Sequence, residues 1–130
     1  MAGKGNGKVK ILGFAGSLRK GSFNKMLLRA AVEVAPEEVE LEVFDLEGIP
    51  PFNQDLENMP HEKLKEFKSK IKAADGLLIV TPEYNYSVPG VLKNAIDAAS
   101  RPYRALLKKN PLRSWVLQSE CSVRPGPSII

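Results

Sequence analysis

The 130-residue sequence predicts an α/β fold, a doubly wound parallel sheet. Strand-like and helix-like segments alternate along the chain, the first and third strand-like segments are apolar almost throughout, and the helix-like segments carry apolar residues at helical spacing. Such an alternation implies right-handed crossovers. Ligands then bind at the carboxyl ends of the strands, where the strand order reverses.

Residues 8 to 15, with Val9-Lys10-Ile11-Leu12-Gly13-Phe14-Ala15, read as a buried strand. Residues 23 to 35 follow as a helix with Phe23, Leu27, Ala30, Ala31 and Val34 as its apolar positions, stopped by Pro36. Val39 to Leu46 alternates apolar and acidic residues at first, as a half-exposed strand near a sheet edge does. Gly48 to Asp55 is a proline-punctuated loop. Residues 61 to 74 form an amphipathic helix that buries Leu64, Phe67, Ile71 and Ala74 and leaves its lysines solvated, and Asp75-Gly76 ends it. Leu77-Leu78-Ile79-Val80 is a strand covered on both faces, and residues 89 to 100 form a third helix with Pro89 in its first turn.

Length suits a single domain. Residues 1 to 7 are a Gly- and Lys-rich flexible lead, residues 8 to 103 the folded domain, and residues 104 to 130 a tail of different composition. No stretch approaches the roughly 18 apolar residues of a membrane span, and the start of the chain lacks the apolar core of a signal peptide, so a soluble, cytoplasmic chain without a membrane partner is expected. Cys121 and His61 each stand alone, which argues against a disulfide, a cysteine metal site or zinc. His61, beside Pro60, Glu62 and Lys63, belongs on a solvated first helical turn. The net charge of +4 invites a nucleic-acid reading, but residues 1 to 103 hold 14 basic and 14 acidic side chains. The excess lies in Arg104, Lys108, Lys109, Arg113 and Arg124 against Glu120, so no nucleic-acid partner is expected.

The most informative stretch is Gly16-Ser17-Leu18-Arg19-Lys20-Gly21-Ser22-Phe23-Asn24. A strand that turns through small, hydroxyl-bearing residues into a helix N-terminus gathers N–H groups and hydroxyls at one point, with an arginine beside them, and this suits a phosphate. The lysine of a triphosphate-binding loop is missing, since Ser22 and Phe23 follow Gly21. Gly13 and Gly16 are also spaced too widely for a dinucleotide fingerprint. Ser17, Arg19, Ser22 and Asn24 around one phosphate fit a monophosphate; the alternative is that Ser22 or Asn24 only caps the helix. The second loop, Thr81 to Gly90, has two tyrosines, an asparagine and serine between prolines, and can lay peptide groups and aromatic faces against a flat ring. Tyr84 and Tyr86 could equally be loop packing.

Together the two loops, with Val91-Leu92-Lys93-Asn94-Ala95-Ile96-Asp97, resemble the NADPH-dependent FMN reductase family of quinone, azo-dye and chromate reductases. Asp45 to Asp55 resembles that family's loop after the second strand, and Ser100-Arg101-Pro102 its ending of the third helix, so the likeness spans about residues 8 to 103. It implies a flavodoxin-like fold, bound FMN, and NADPH or NADH as electron donor. It also implies that Ser17, Arg19, Ser22 and Asn24 seat the FMN phosphate, and that Pro82, Glu83, Tyr84, Asn85, Tyr86 and Ser87 border the isoalloxazine. A homodimer or homotetramer follows from it too, with Glu83, Tyr84 and Arg101 near the contact. The expected activity is transfer of electrons from NAD(P)H through FMN to a small-molecule acceptor such as a quinone. No catalytic residue is assigned, because the cofactor carries the chemistry; Ser17 as a nucleophile would need a partner that His61, on another element, does not supply.

Residues 104 to 130 depart from the resemblance. They lack the expected Gly/Ser-rich loop, contain Pro111, Pro125 and Pro127, and offer only Trp115-Val116-Leu117-Gln118 as a short strand. They read as a truncated, spliced or frame-shifted ending, so that the sheet is expected to be incomplete after the third strand–helix unit. The alternative function is a non-catalytic flavin-binding or oligomerisation module of the same family.

Overall fold

Alternation of the strands decides which helix covers which side of the sheet. A computed structural model describes residues 7–59, 61–101 and 113–119, the last as backbone alone. It orders the chain as β1 (Val9–Ala15), α1 (Phe23–Val34), β2 (Val39–Phe44), α2 (Glu62–Ala73), β3 (Gly76–Pro82), α3 (Gly90–Ala99) and β4 (Arg113–Ser119). The strands pair in the order β2-β1-β3-β4, all parallel, which matches the first four positions of the doubly wound order 2-1-3-4-5. Phe14 stands level with Phe44 on one side and Ile79 on the other. The chain leaves β1 toward β2 on one flank and β3 on the other, so the crevice above the ends of β1 and β3 is the switch point.

One face of the sheet carries the larger core. Leu12 and Phe14 of β1, Phe44 of β2 and Leu77 and Ile79 of β3 pack with Phe67 and Ile71 of α2 and Leu92, Ala95 and Ala99 of α3. Phe67 lies edge-on to Phe14 at 5.3 Å between ring centres and stacked on Phe44 at 5.0 Å, so one side chain joins α2 to two strands. On the opposite face Ala15 and Val80 meet Leu28 of α1, a smaller cluster under a single helix. Gly13 permits that approach: a Cβ there would sit 2.8 Å from Leu28 Cδ1. β2, at the sheet edge, leaves Glu40 and Glu42 in solvent and ties Glu42 to Lys70.

Three expectations are corrected. In α1 the buried residues are Asn24 and Leu28, whereas Phe23 is 73% and Val34 80% exposed. The helix is apolar on two sides, and the cap at Ser22 orients it so that the Phe23, Met26, Leu27, Val34 stripe turns away from the sheet. Pro89 is the residue before α3 rather than in its first turn. β4 falls inside the segment read as a tail, containing Trp115 to Gln118, and its ladder to β3 from Gly76↔Arg113 to Pro82↔Ser119 puts those residues in the sheet. Residues 1–6, 102–112 and 120–130, with the rest of the expected lead and tail, lie outside the described residues.

Candidate functional site

Two loops leave the sheet at the switch point, and backbone contact holds their roots together. Gly16 N donates to Val80 O at 2.8 Å, so the first step out of β1 is fixed to β3. The contact is close: a Cβ on Gly16 would lie 2.6 Å from Thr81 Oγ1 and 3.0 Å from Thr81 Cβ. Thr81, 3% exposed, donates its hydroxyl to Pro82 O at 2.9 Å. Its methyl-bearing, β-branched side chain is therefore both stiff and hydrogen-bonded.

The first loop then turns. Ser22 N donates to Arg19 O at 3.1 Å, and Arg19 Nη2 donates to Gly21 O at 3.1 Å while the guanidinium lies 5.9 Å from the Phe23 ring centre. Ser22 is the N-cap of α1; its Oγ accepts from Asn24 N at 3.2 Å, and both residues are buried. The cap therefore forms, and of the four residues named for the phosphate it places Ser17 and Arg19 toward solvent and Ser22 and Asn24 inside the helix start. Ser22 Oγ still has a hydrogen to donate. Among the described residues the N–H groups of Leu18, Lys20, Gly21 and Phe23 meet no acceptor. The first turn of α1 holds no acidic side chain. Open donors, an unneutralised helix N-terminus and a guanidinium make a local concentration of positive potential that fits a phosphate monoester. Lys20, Lys25 and Arg29 extend it along a neighbouring cleft, where Lys25 Nζ lies 3.9 Å from Asp45 Oδ2.

The second loop is a tight reversal. Tyr84 N donates to Ser87 O and Ser87 N to Tyr84 O, both at 3.0 Å, with Asn85 at φ 54° and Tyr86 at φ 61°. Two consecutive left-handed residues inside such a pair make a type I′ turn. Asparagine accepts that conformation; a tyrosine there is an outlier, held by its surroundings at a cost in energy. Tyr84 and Tyr86 are 51% and 70% exposed, so neither ring serves core packing. Pro82 is buried, Glu83 partly buried, and Asn85 and Ser87 are at the surface.

Asn94, given no role by spacing alone, holds a third segment in place. Its Oδ1 accepts from Phe52 N at 2.7 Å and its Nδ2 donates to Pro50 O at 2.9 Å, clamping the loop after β2 onto α3. Arg101, expected near a subunit contact, is paired within the chain: Nε and Nη2 bind Glu57 Oε1 and Oε2 at 2.9 and 2.7 Å. The guanidinium holds the Glu57 carboxyl below its ordinary range, and the carboxylate in turn raises Arg101.

Comparison with known proteins shows the family of the chain. Residues 9–115 match the family model described as NADPH-dependent FMN reductase. Over 95 residues the chain is 50% identical to an NAD(P)H-dependent FMN reductase of Pseudomonas aeruginosa, an alignment covering 72% of this chain and 51% of that protein. It is likewise 50% identical over 95 residues to a 2-hydroxy-1,4-benzoquinone reductase of Burkholderia sp, covering 73% and 52%. Among solved structures, the flavoenzyme NAD(P)H:(acceptor) oxidoreductase FerB of Paracoccus denitrificans superposes with a TM-score of 0.76 at 35% identity, over 85% of this chain and 60% of that one. The chain spans about half the length of the relatives it matches.

Proposed function

Because the chain belongs to the NADPH-dependent FMN reductase family, we propose that it is an NAD(P)H-dependent oxidoreductase that holds FMN and delivers electrons to quinones or similar small acceptors. The observation that carries this reading is the first loop, where open N–H donors, the N-terminus of α1 and Arg19 lie together and the first helical turn has no acidic side chain. Ser17 and Arg19 would meet the phosphate from outside and the Ser22 hydroxyl from the cap; Asn24 acts from beneath, through the cap it shares with Ser22. The segment Pro82 to Ser87 would border the ring, with its peptide groups fixed by the tight turn and its two tyrosines exposed beside it.

FMN, when bound, supplies the hydride acceptor and the electron relay. The chain's own work is binding and orientation. Arg19 offsets the phosphate charge, the Gly16–Thr81 contact fixes the distance between the two loops, and the strained Tyr86 turn presets one edge of the ring site so that less order has to be imposed on binding. The names of the relatives, an FMN reductase and a hydroxybenzoquinone reductase, support the acceptor class.

No described helix is long and apolar enough to cross a membrane. The reading further includes a cytoplasmic location and a homodimer or homotetramer with Glu83, Tyr84 and Arg101 near the contact; the exposure of Tyr84 supports that placing. The test is direct. Purified protein should carry, or take up, FMN in proportion to chain, and should oxidise NADPH when a quinone is added. Calorimetry with FMN and riboflavin checks the site itself: equal affinity for the two would remove the phosphate seat from the argument.

A further inference from the structure

A cavity of about 260 Å³ lies outside the two loops, under the segment Pro50 to Met59 and between α2 and α3. Phe52, Leu56, Met59, Leu64 and Ala98 make its walls apolar. Ala98 and Arg101, at the C-terminal end of α3, line one side of it, and Pro50 and Phe52, held by Asn94 nearer the start of that helix, line another. None of the residues named for the flavin lines it.

Its charges are unevenly satisfied. Arg101 is matched by Glu57 in a two-bond pair. Lys68 is not: its Nζ donates to Arg101 O at 2.7 Å, and among the described residues no carboxylate lies within ion-pair distance of it. An ammonium has three N–H bonds, and among the described residues only this one is taken. Partial burial pushes Lys68 below its ordinary lysine range, with the Glu57 charge acting in the opposite direction. His61, the N-cap of α2 whose side chain makes no cap bond, lines the same space.

We propose that this cavity is a second small-molecule site, which takes a flat aromatic carboxylate of one or two rings, its carboxylate on Lys68 and its rings between Phe52, Met59 and Leu64. The volume, just under the about 300 Å³ at which ligand pockets begin, limits the guest to one or two rings. Apolar walls set the aromatic character. The cation sets the charge, because a carboxylate gains a charge-assisted hydrogen bond there that a neutral apolar guest cannot make. The inference does not depend on flavin binding.

The probe is sodium 2-naphthoate, titrated into the full chain labelled with ¹³C at the methionine methyls. Met59 lines the cavity and Met26 sits on α1, so the two report on different places. The expected result is a saturable shift of the Met59 methyl with Met26 unmoved, a Kd of about 1 mM or tighter, and binding of neutral 2-naphthylmethanol at least about tenfold weaker. Lys68→Met should weaken naphthoate about tenfold or more while leaving the alcohol unchanged. Lack of a saturable Met59 shift, parallel movement of both methyls, or equal affinity for acid and alcohol overturns the proposal. The acid–alcohol comparison is made on the unaltered chain, so it decides even if the variant misfolds.

Discussion

Gly16→Ala tests the contact that ties the two site loops together. Two effects oppose each other. Replacing glycine where the backbone tolerates a side chain stabilises by about 0.4–1 kcal/mol through the unfolded chain. The added methyl, however, would lie 2.6 Å from Thr81 Oγ1, 3.0 Å from Thr81 Cβ and 3.4 Å from Leu92 Cδ2. Thr81 is buried, and rotating it away breaks its bond to Pro82 O, itself worth about 0.5–1.5 kcal/mol. Overpacking of this kind costs about 1–3 kcal/mol, so the clash wins and the variant should lose about 1–2 kcal/mol. Urea unfolding measures it, with a melting temperature lower by on the order of 5 °C as a second reading. Gly21→Ala is the control: its Cβ would meet no atom within 4 Å, so it should not destabilise. Thr81→Ala removes the nearest atom of the clash. Combined with Gly16→Ala it should cost less than the two changes summed, by about 0.5 kcal/mol or more. A Gly16→Ala protein as stable as the parent, or a strictly additive double variant, would refute the reasoning.

Arg19→Ala should weaken FMN by roughly ten- to hundredfold and leave riboflavin unchanged by calorimetry, because the lost contact is to phosphate alone. Tyr86→Asn relieves a left-handed tyrosine at φ 61° and should stabilise by about 1 kcal/mol in urea, while flavin affinity falls if the ring borders the isoalloxazine. Glu57 is held below its ordinary pKa of 4.5, first by its hydrogen bond from Arg101. Its contribution is therefore complete above about pH 5 and is lost as pH falls through the lowered folded value. Glu57→Gln should be less stable than the parent at pH 7, with the gap closing as pH falls through that lowered value; a gap constant with pH would separate Glu57 from acid unfolding.

The order of elements was legible because each strand announces its surroundings. β3 is buried along nearly its whole length, as an apolar run implies, and β2 sits at an edge with its glutamates in water. α2 buries Phe67 and Ile71 from the expected face. α1 was misread for a physical reason: Phe23, Leu27, Ala30 and Val34 form a better stripe than Asn24 and Leu28, and periodicity does not say which stripe meets the sheet. At the site, the residue types of the first loop were readable from spacing, but the Gly16–Thr81 approach joins positions 65 apart and has no local signature. The left-handed pair at Asn85 and Tyr86 was hidden for a different reason, since tyrosine is among the last residues one would assign there. β4 is paired despite the prolines that surround it in sequence, because a strand next to β3 needs only seven residues of ladder.

Asn94 offers the loop after β2 one acceptor and one donor at the spacing of a peptide group, so a side chain here does what a neighbouring strand would otherwise do. The loop can therefore contain Pro50 and Pro51, which would spoil a true ladder, and still be anchored. Such an anchor is chemically narrow. Aspartate would turn the donor into a second acceptor facing Pro50 O, leucine would leave Phe52 N and Pro50 O both without a partner, and glutamine would carry the same groups one methylene too far. Exchanging that one amide nitrogen for oxygen keeps the bond from Phe52 N but sets two oxygens against each other at Pro50, so half of the anchor turns from attraction to repulsion.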